Sequence, residues 1–303
     1  MIRRLRLISG LVMLVYVTMH LLNHATGLIS LAVMEEVLWY VSRIWSSYPG
    51  QTLLYGSFLV HHGLSLWALW GRRSLRLRTS EFGQIFLGFA IPMLLARHVV
   101  GTRIATDFFE ADTVHYTVLL RTYFVNAPSH GYWQMVALVV AWTHAMLGLH
   151  FWLRIRPWYA RVHATALAVA VLIPVLSLLG MIEAGRQVIS LVADPDWARL
   201  IFANMKLPSP EAQRTLEAIT DGLTWFFGGI IAAVLLARLA RRAWQRRHGL
   251  VRIGYPDGRF VEVVPGTSVL EASRLAVFLT PMSAAAAAVV QPAAYGCGRK
   301  SAA

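Results

Sequence analysis

Eleven histidines occur in an apolar chain, and four of them, His20, His61, His98 and His144, fall well inside hydrophobic stretches. An ionisable side chain within a bilayer is costly, so each such position is a functional hypothesis by default. A neutral imidazole costs less than a charge. It offers one ring nitrogen to a metal while the other donates a hydrogen bond, and it is a common axial ligand of haem iron. A rise of about 1.5 Å per residue converts position into depth. With alternate stretches running outward and inward, His20 and His98 lie just beyond the middles of the first and third. His61 and His144 lie near the middles of the second and fourth, or slightly toward the opposite side. Two pairs at two depths would hold two b-type haems, each between two imidazoles. A lone intramembrane histidine can also simply bond a neighbouring helix, and His24 and His62 stand as alternatives to His20 and His61. Gly63 and Gly148 would let a flat macrocycle approach the backbone. Arg97 and Arg103 suit the carboxylates of such a group, or else snorkel to the interface. His150 and His163 read as interfacial, with a quinone contact as the alternative. His115, His130 and His248 read as ordinary loop residues.

The elements that position these residues follow from composition. The chain has 303 residues, 57% hydrophobic and 14% charged. Soluble domains carry about 25% charged residues, which points to a polytopic membrane protein with a small appendage. Six apolar stretches are long enough to cross a bilayer, near 6–30, 51–70, 83–105, 132–154, 162–183 and 222–240, and each must be helical because lipid satisfies no backbone group. The expected fold is therefore an all-α transmembrane six-helix bundle. No cleavage pattern follows the first stretch, which is read as retained.

The net charge of +13 is almost entirely arginine. That could suggest nucleic acid, but the arginines cluster at the ends of apolar stretches. Arg3, Arg4 and Arg6 precede the first, and Arg72, Arg73, Arg76 and Arg78 follow the second. Arg154, Arg156 and Arg161 separate the fourth and fifth, and Arg238, Arg241, Arg242, Arg246 and Arg247 close the sixth. The intervening loops carry Glu35, Glu36, Asp107, Glu110, Asp112, Asp194, Asp196, Glu211 and Glu217 instead. The positive-inside rule then places both termini in the cytoplasm, with no nucleic-acid partner implied. Residues 33–50, with Trp39, Tyr40, Trp45 and Tyr48, read as an interfacial helix on the far side.

After His248 the pattern changes to strand, Pro-Asp-Gly turn, strand, turn and helix start, with Ser268 and Glu271 at capping-box spacing. Beyond Arg274 the chain becomes Ala-rich and aperiodic. Three regions result: a membrane domain over 1–248, a partial soluble domain over 249–274, and a tail over 275–303. The single cysteine, Cys297, excludes a disulfide framework and any cluster that needs four thiolates.

The segments MHLLNH and HVVGTRIA resemble the diheme cytochrome b anchors of succinate dehydrogenase and fumarate reductase. In that family the first four helices carry bis-histidine haems and quinone reacts at the membrane faces. His20, His61, His98 and His144 fall at the matching positions. The segments LLNHATGLISL, LLYGSFLVHHGLSLWALW, ARHVVGTRIA and THAMLGLHFWLRIRPWY are more similar still to the membrane regulatory region of certain bacterial class III adenylate cyclases. There the sixth helix leads into a [2Fe–2S] ferredoxin-like domain of β-grasp type and then the cyclase. The resemblance covers about residues 1–274. It implies a multi-pass protein of the bacterial inner membrane that senses redox state or quinone, with membrane lipid and quinone as partners and a homodimer in intact relatives. The alternative is an electron-transfer anchor subunit of a quinone-linked oxidoreductase. No catalytic domain is recognisable, so no cyclase activity is expected of this chain, and the iron–sulfur cluster of the family is not bindable by it. The tail reads as out of frame: permitted codons from Leu275, shifted by one nucleotide, encode a C-x₅-C-x₂-C ligand loop. Genomic DNA whose shifted frame lacks that motif would dispose of this reading.

Overall fold

In a computed structural model, residues 1–275 are described apart from 73, 74, 76, 248, 256 and 257. The tail over 276–303, with Cys297, lies outside the described residues, as do Arg73, Arg76 and His248. The chain is mostly helical. Five helical segments are long and apolar enough to cross a membrane: Ile2–Leu28, Thr79–Phe109, Pro128–Leu153, Tyr159–Val192 and Pro210–Gln245. Their ends overrun the expected spans, because polar flanks continue the same hydrogen-bonded helix. The second expected stretch is also a helix, Tyr48–Gly71, but it falls outside those five. Its own histidine pair lowers its hydropathy.

In chain order, α1 (Ile2–Ala25) ends in a tight 3₁₀ turn. The short helix α2 (Leu31–Trp45) covers most of the stretch read as interfacial. Ser30 caps it, its hydroxyl accepting from the Val33 N–H at 3.1 Å, a typical N-cap device. Then come α3 (Tyr48–Gly71) and α4 (Thr79–Val99). The chain continues from α4 through a π-helical turn, Val100–Ile104, into α5 (Ala105–Phe109). After α6 (Tyr116–Arg121), Thr122–Asn126 is again π-wound. The long helices α7 (Pro128–Leu153) and α8 (Tyr159–Val192) follow, then α9 (Pro195–Ala203) and α10 (Pro210–Arg247).

Small residues let these helices approach closely. A side chain at Gly27 would strike the Gly180 carbonyl, and one at Gly180 would strike the His24 carbonyl. So α1 packs on α8 at near backbone contact, the use of glycine common between membrane helices. Ser177 adds a hydroxyl bond to the Leu21 carbonyl at 2.6 Å. Between α4 and α7 the indole of Trp133 donates to the Leu94 carbonyl at 3.1 Å. The largest apolar core lies at one end of the bundle, where Met34, Tyr116, Leu120 and Met181 meet. Helices α1, α3, α4 and α7 each carry one of the four intramembrane histidines.

At that same end His115 is tied down rather than being an ordinary loop residue. Its Nδ1 lies 3.6 Å from Glu35 Oε2, while Glu35 Oε1 accepts from the Thr117 N–H at 2.9 Å. The Glu35 hydrogen bond holds the His115 pKa above its usual value. A raised folded-state pKa stabilises below the unfolded value of about 6.5, and that contribution fades as pH climbs through the raised value. The pair is half-exposed, so its effect is a few tenths of a kcal/mol at about that scale. His115→Gln should therefore flatten the melting temperature between mildly acidic and alkaline buffer, and a pH profile unchanged by the substitution would reject the pair.

The chain divides into two compact units: one ends at Ala232, and the other takes Trp70 together with the chain from Ala233. Within the second unit, β1 (Val251–Gly254) and β2 (Phe260–Val263) form an antiparallel hairpin with Val251 opposite Val263. The following α11 (Val269–Leu275) packs Ala272 on Ile253 and Val263. Ser268 Oγ accepts from the Glu271 N–H at 3.2 Å, so the strand–turn–strand–helix order and the capping box both appear as the sequence predicts. In the same unit Arg238 and Arg241 donate to the Trp70 carbonyl at 3.1 and 2.7 Å. These bonds satisfy a carbonyl that the end of α3 leaves without a helical partner.

Candidate functional site: two facing imidazole pairs

The four intramembrane histidines come together in two pairs. The rings of His20 on α1 and His98 on α4 have centroids 5.9 Å apart. Those of His61 on α3 and His144 on α7 are 6.3 Å apart, with planes at 90°. A metal bound at about 2 Å to one nitrogen of each ring would separate the centroids by roughly 6 Å. Both pairs thus have the spacing of rings sharing one metal centre.

Their levels follow from glycines that sequence reading missed. A Cβ at Gly10 of α1 would sit 3.1 Å from His61 Cε1, and one at Gly88 of α4 would sit 2.5 Å from His144 Cε1. His20 lies one decad beyond Gly10, and His98 one decad beyond Gly88. Along a helix that interval is about 15 Å. So α1 and α4 each present a glycine notch to one pair and a histidine to the other. The signal was available as the same glycine-to-histidine spacing in both stretches. A Cβ at Gly63 would meet nothing within 4 Å, and one at Gly148 would lie 3.1 Å from the Gln84 amide.

Hydrogen bonds fix which nitrogen is available. His61 Nδ1 lies 2.9 Å from the Arg6 carbonyl, and His144 Nδ1 lies 3.0 Å from the Gln84 carbonyl. A carbonyl can only accept, so Nδ1 carries the proton and Nε2 is left with its lone pair. Metal-binding histidines are oriented by this kind of bond. Around the other pair, His98 Nδ1 is 3.5 Å from the Tyr123 hydroxyl, and Tyr16 stacks on His20 at 5.6 Å.

The alternatives separate by geometry. His62 points away from His144 into an aromatic nest of Phe58, Phe89 and Phe227. His24 is buried edge-on to Tyr116, 4.6 Å from the His20 ring, with neither ring nitrogen bonded among the described residues. His150 accompanies His163 and bonds the Tyr159 hydroxyl through Nδ1 at 3.1 Å. The two arginines also part company. Arg103 pairs with Asp107 at 2.9 Å and donates to Ser46, whereas Arg97 lines a cavity with Tyr123 and His130.

Among the described residues no group of three or more His, Cys, Asp or Glu side chains converges on one point. A site closed by protein ligands alone would need such a group. Axial ligation of a macrocycle needs two imidazoles, because the ring supplies the remaining nitrogens. The centroid spacing of both pairs and, for His61 and His144, the glycine notches and the carbonyl-anchored Nδ1 atoms fit that requirement. No family model, no curated protein and no solved structure matches the chain.

Proposed function

We propose that the chain is a diheme b-type membrane domain that senses the redox state of the quinone pool and regulates a cytoplasmic output domain of the nucleotide-cyclase kind. The observation that carries this reading is the facing of His20 with His98 and of His61 with His144, at metal-sharing distance and at two levels. Helix α3 serves as a sixth crossing on this reading, since its length of 24 residues reaches about 36 Å. The arginine-rich ends favour an orientation with both termini on the cytoplasmic side of a bacterial inner membrane. His61 and His144 then lie toward the cytoplasmic side, and His20 and His98 toward the outer side.

When bound, each haem would supply a one-electron couple. The protein's own residues set the conditions for it. Arg6 and Gln84 carbonyls hold the inner imidazoles in the tautomer that presents Nε2. Gly10 and Gly88 leave room for the rings of His61 and His144 to lie against α1 and α4. Arg97 places positive charge beside the outer pair, where carboxylates of the macrocycle would need it, whereas Arg103 is already paired with Asp107. Arg238 and Arg241 clasp the end of α3, the helix that carries His61, to α10, the helix that leads to the hairpin. A charge change at the imidazole level that alters the packing of α3 thereby has a route to the output. That covalent continuation from α10 into a folded hairpin favours a sensor over an electron-transfer anchor subunit.

The test is a redox-difference spectrum of membranes containing the chain, expressed with haem in supply. A low-spin b-type spectrum that develops on adding a quinol is expected. A spectrum identical to that of membranes lacking the chain would defeat the proposal.

A further inference from the structure

Beside the outer imidazole pair lies a cavity of about 220 Å³, bounded by the two π-helical turns and the start of α10. The π-helix is rare and concentrates at functional sites. Arg97 and Arg121 both line the cavity. Neither guanidinium has an ion pair or hydrogen bond among the described residues, and the Arg121 Cζ lies over the Phe202 ring, 4.2 Å from its centroid. The one carboxylate in the lining, Glu217, is engaged by Gln213 Nε2 at 3.1 Å. The Thr113 hydroxyl also lines the cavity and is buried without a partner among the described residues.

The mouth is built as well. The segment carrying Leu207 and Pro208 is strapped over the cavity by a backbone pair between Asp112 and Lys206 at 2.8 Å. Lys206 N–H also donates to Asp112 Oδ2 at 2.8 Å, and Lys206 Nζ donates to Glu110 Oε2 at 3.1 Å. Two half-buried cations with a single, already bonded acid between them leave positive charge uncompensated in a partly desolvated space, which is costly. Apolar walls from Val100 and Leu216 add to that cost, and Arg97, Arg121 and Thr113, whose side chains make no hydrogen bond among the described residues, line the same space.

We propose that this cavity binds a small organic oxyanion, a carboxylate or phosphate group. Arg97 and Arg121 supply the charge and Thr113 a hydroxyl bond. The volume lies below the roughly 300–1,000 Å³ of typical ligand pockets, which suits a few-carbon acid or a single headgroup. The same chemistry can come from a free anion in the aqueous phase or from the phosphate of a lipid. Because Arg97 also serves the macrocycle reading above, Arg121 and Thr113 carry the test.

The full chain, purified in detergent, is titrated with glutarate and with inorganic phosphate while thermal unfolding is followed. It is then reconstituted in nanodiscs of phosphatidylglycerol or phosphatidylcholine. A saturable rise in melting temperature with either free anion assigns the aqueous source. A rise confined to phosphatidylglycerol assigns the lipid source. In both cases Arg121→Gln should weaken the response by about tenfold or more, the scale of a lost charged hydrogen bond, and Arg121→Lys should restore part of it. Thr113→Val, which removes no charge, should weaken it less and guards against misfolding of the arginine variant. No response to any of these anions, or an undiminished response in both variants, would overturn the proposal. The haem spectrum of the same samples is read separately, so an anion response without a spectrum rejects the diheme reading and leaves this one standing.

Discussion

Membranes carrying His61→Ala or His144→Ala should each lose about half of the b-type signal, and they should lose the same half. The two rings are 6.3 Å apart, so removing either leaves a group held from one side only. His20→Ala and His98→Ala should remove the other half. A double variant within one pair should resemble its singles, because groups that act as a unit are strongly non-additive. A double variant across pairs, such as His98→Ala with His144→Ala, should abolish the signal. His62→Ala should leave it intact, since that ring packs among phenylalanines away from His144. His24→Ala is the stricter control, because its ring lies only 4.6 Å from that of His20. If His62→Ala costs as much signal as His61→Ala, the pairing is wrong. If the partners within a pair affect different components, it is wrong as well.

Much of this arrangement was legible beforehand, for a physical reason. Membrane helices must be long and self-satisfied, so apolar length alone located the helices. Depth follows from counting residues along a fixed rise, which is how His20 matched His98 and His61 matched His144. Rotation about the helix axis is another matter. His61 and His62 are neighbours, and only the packing of α3 against α1 decides which one faces inward. The same holds for the glycines: depth alone does not say which of them abuts an imidazole, and Gly10 and Gly88 do so by their rotation. The cavity of Arg97 and Arg121 was illegible because it depends on two π-helical turns. Those insert a residue and redirect side chains, and neither the Gly101 inside the first nor the Pro128 just after the second signals a π turn by itself. His115 and Glu35 lie far apart in sequence, so their contact could not be read from spacing.

Gly88→Ala should have the opposite sign to an ordinary glycine replacement in the same helix. Alanine within a helix is favoured over glycine by about 0.5–1 kcal/mol. Gly83, also in α4, has nothing within 4 Å of a would-be Cβ, so Gly83→Ala should raise thermal stability slightly and leave the spectrum unchanged. At Gly88 the new methyl would lie 2.5 Å from His144 Cε1, closer than van der Waals contact permits. The imidazole cannot swing away without giving up its bond to the Gln84 carbonyl, on the turn of α4 just before Gly88. Either the ring rotates out of its pairing with His61, or α4 and α7 separate and loosen the bond of Trp133 to the Leu94 carbonyl. Both outcomes remove the His61–His144 component of the spectrum, and the second also lowers the melting temperature. Gly10→Ala, with its methyl 3.1 Å from His61 Cε1, needs a shift of only a few tenths of an ångström and should broaden that component rather than erase it. The component from His20 and His98, about 15 Å away along the same two helices, should survive in both variants. Full retention of both components in Gly88→Ala would mean that α4 and α7 do not meet at this notch, and the inner imidazole pair would lose its structural basis.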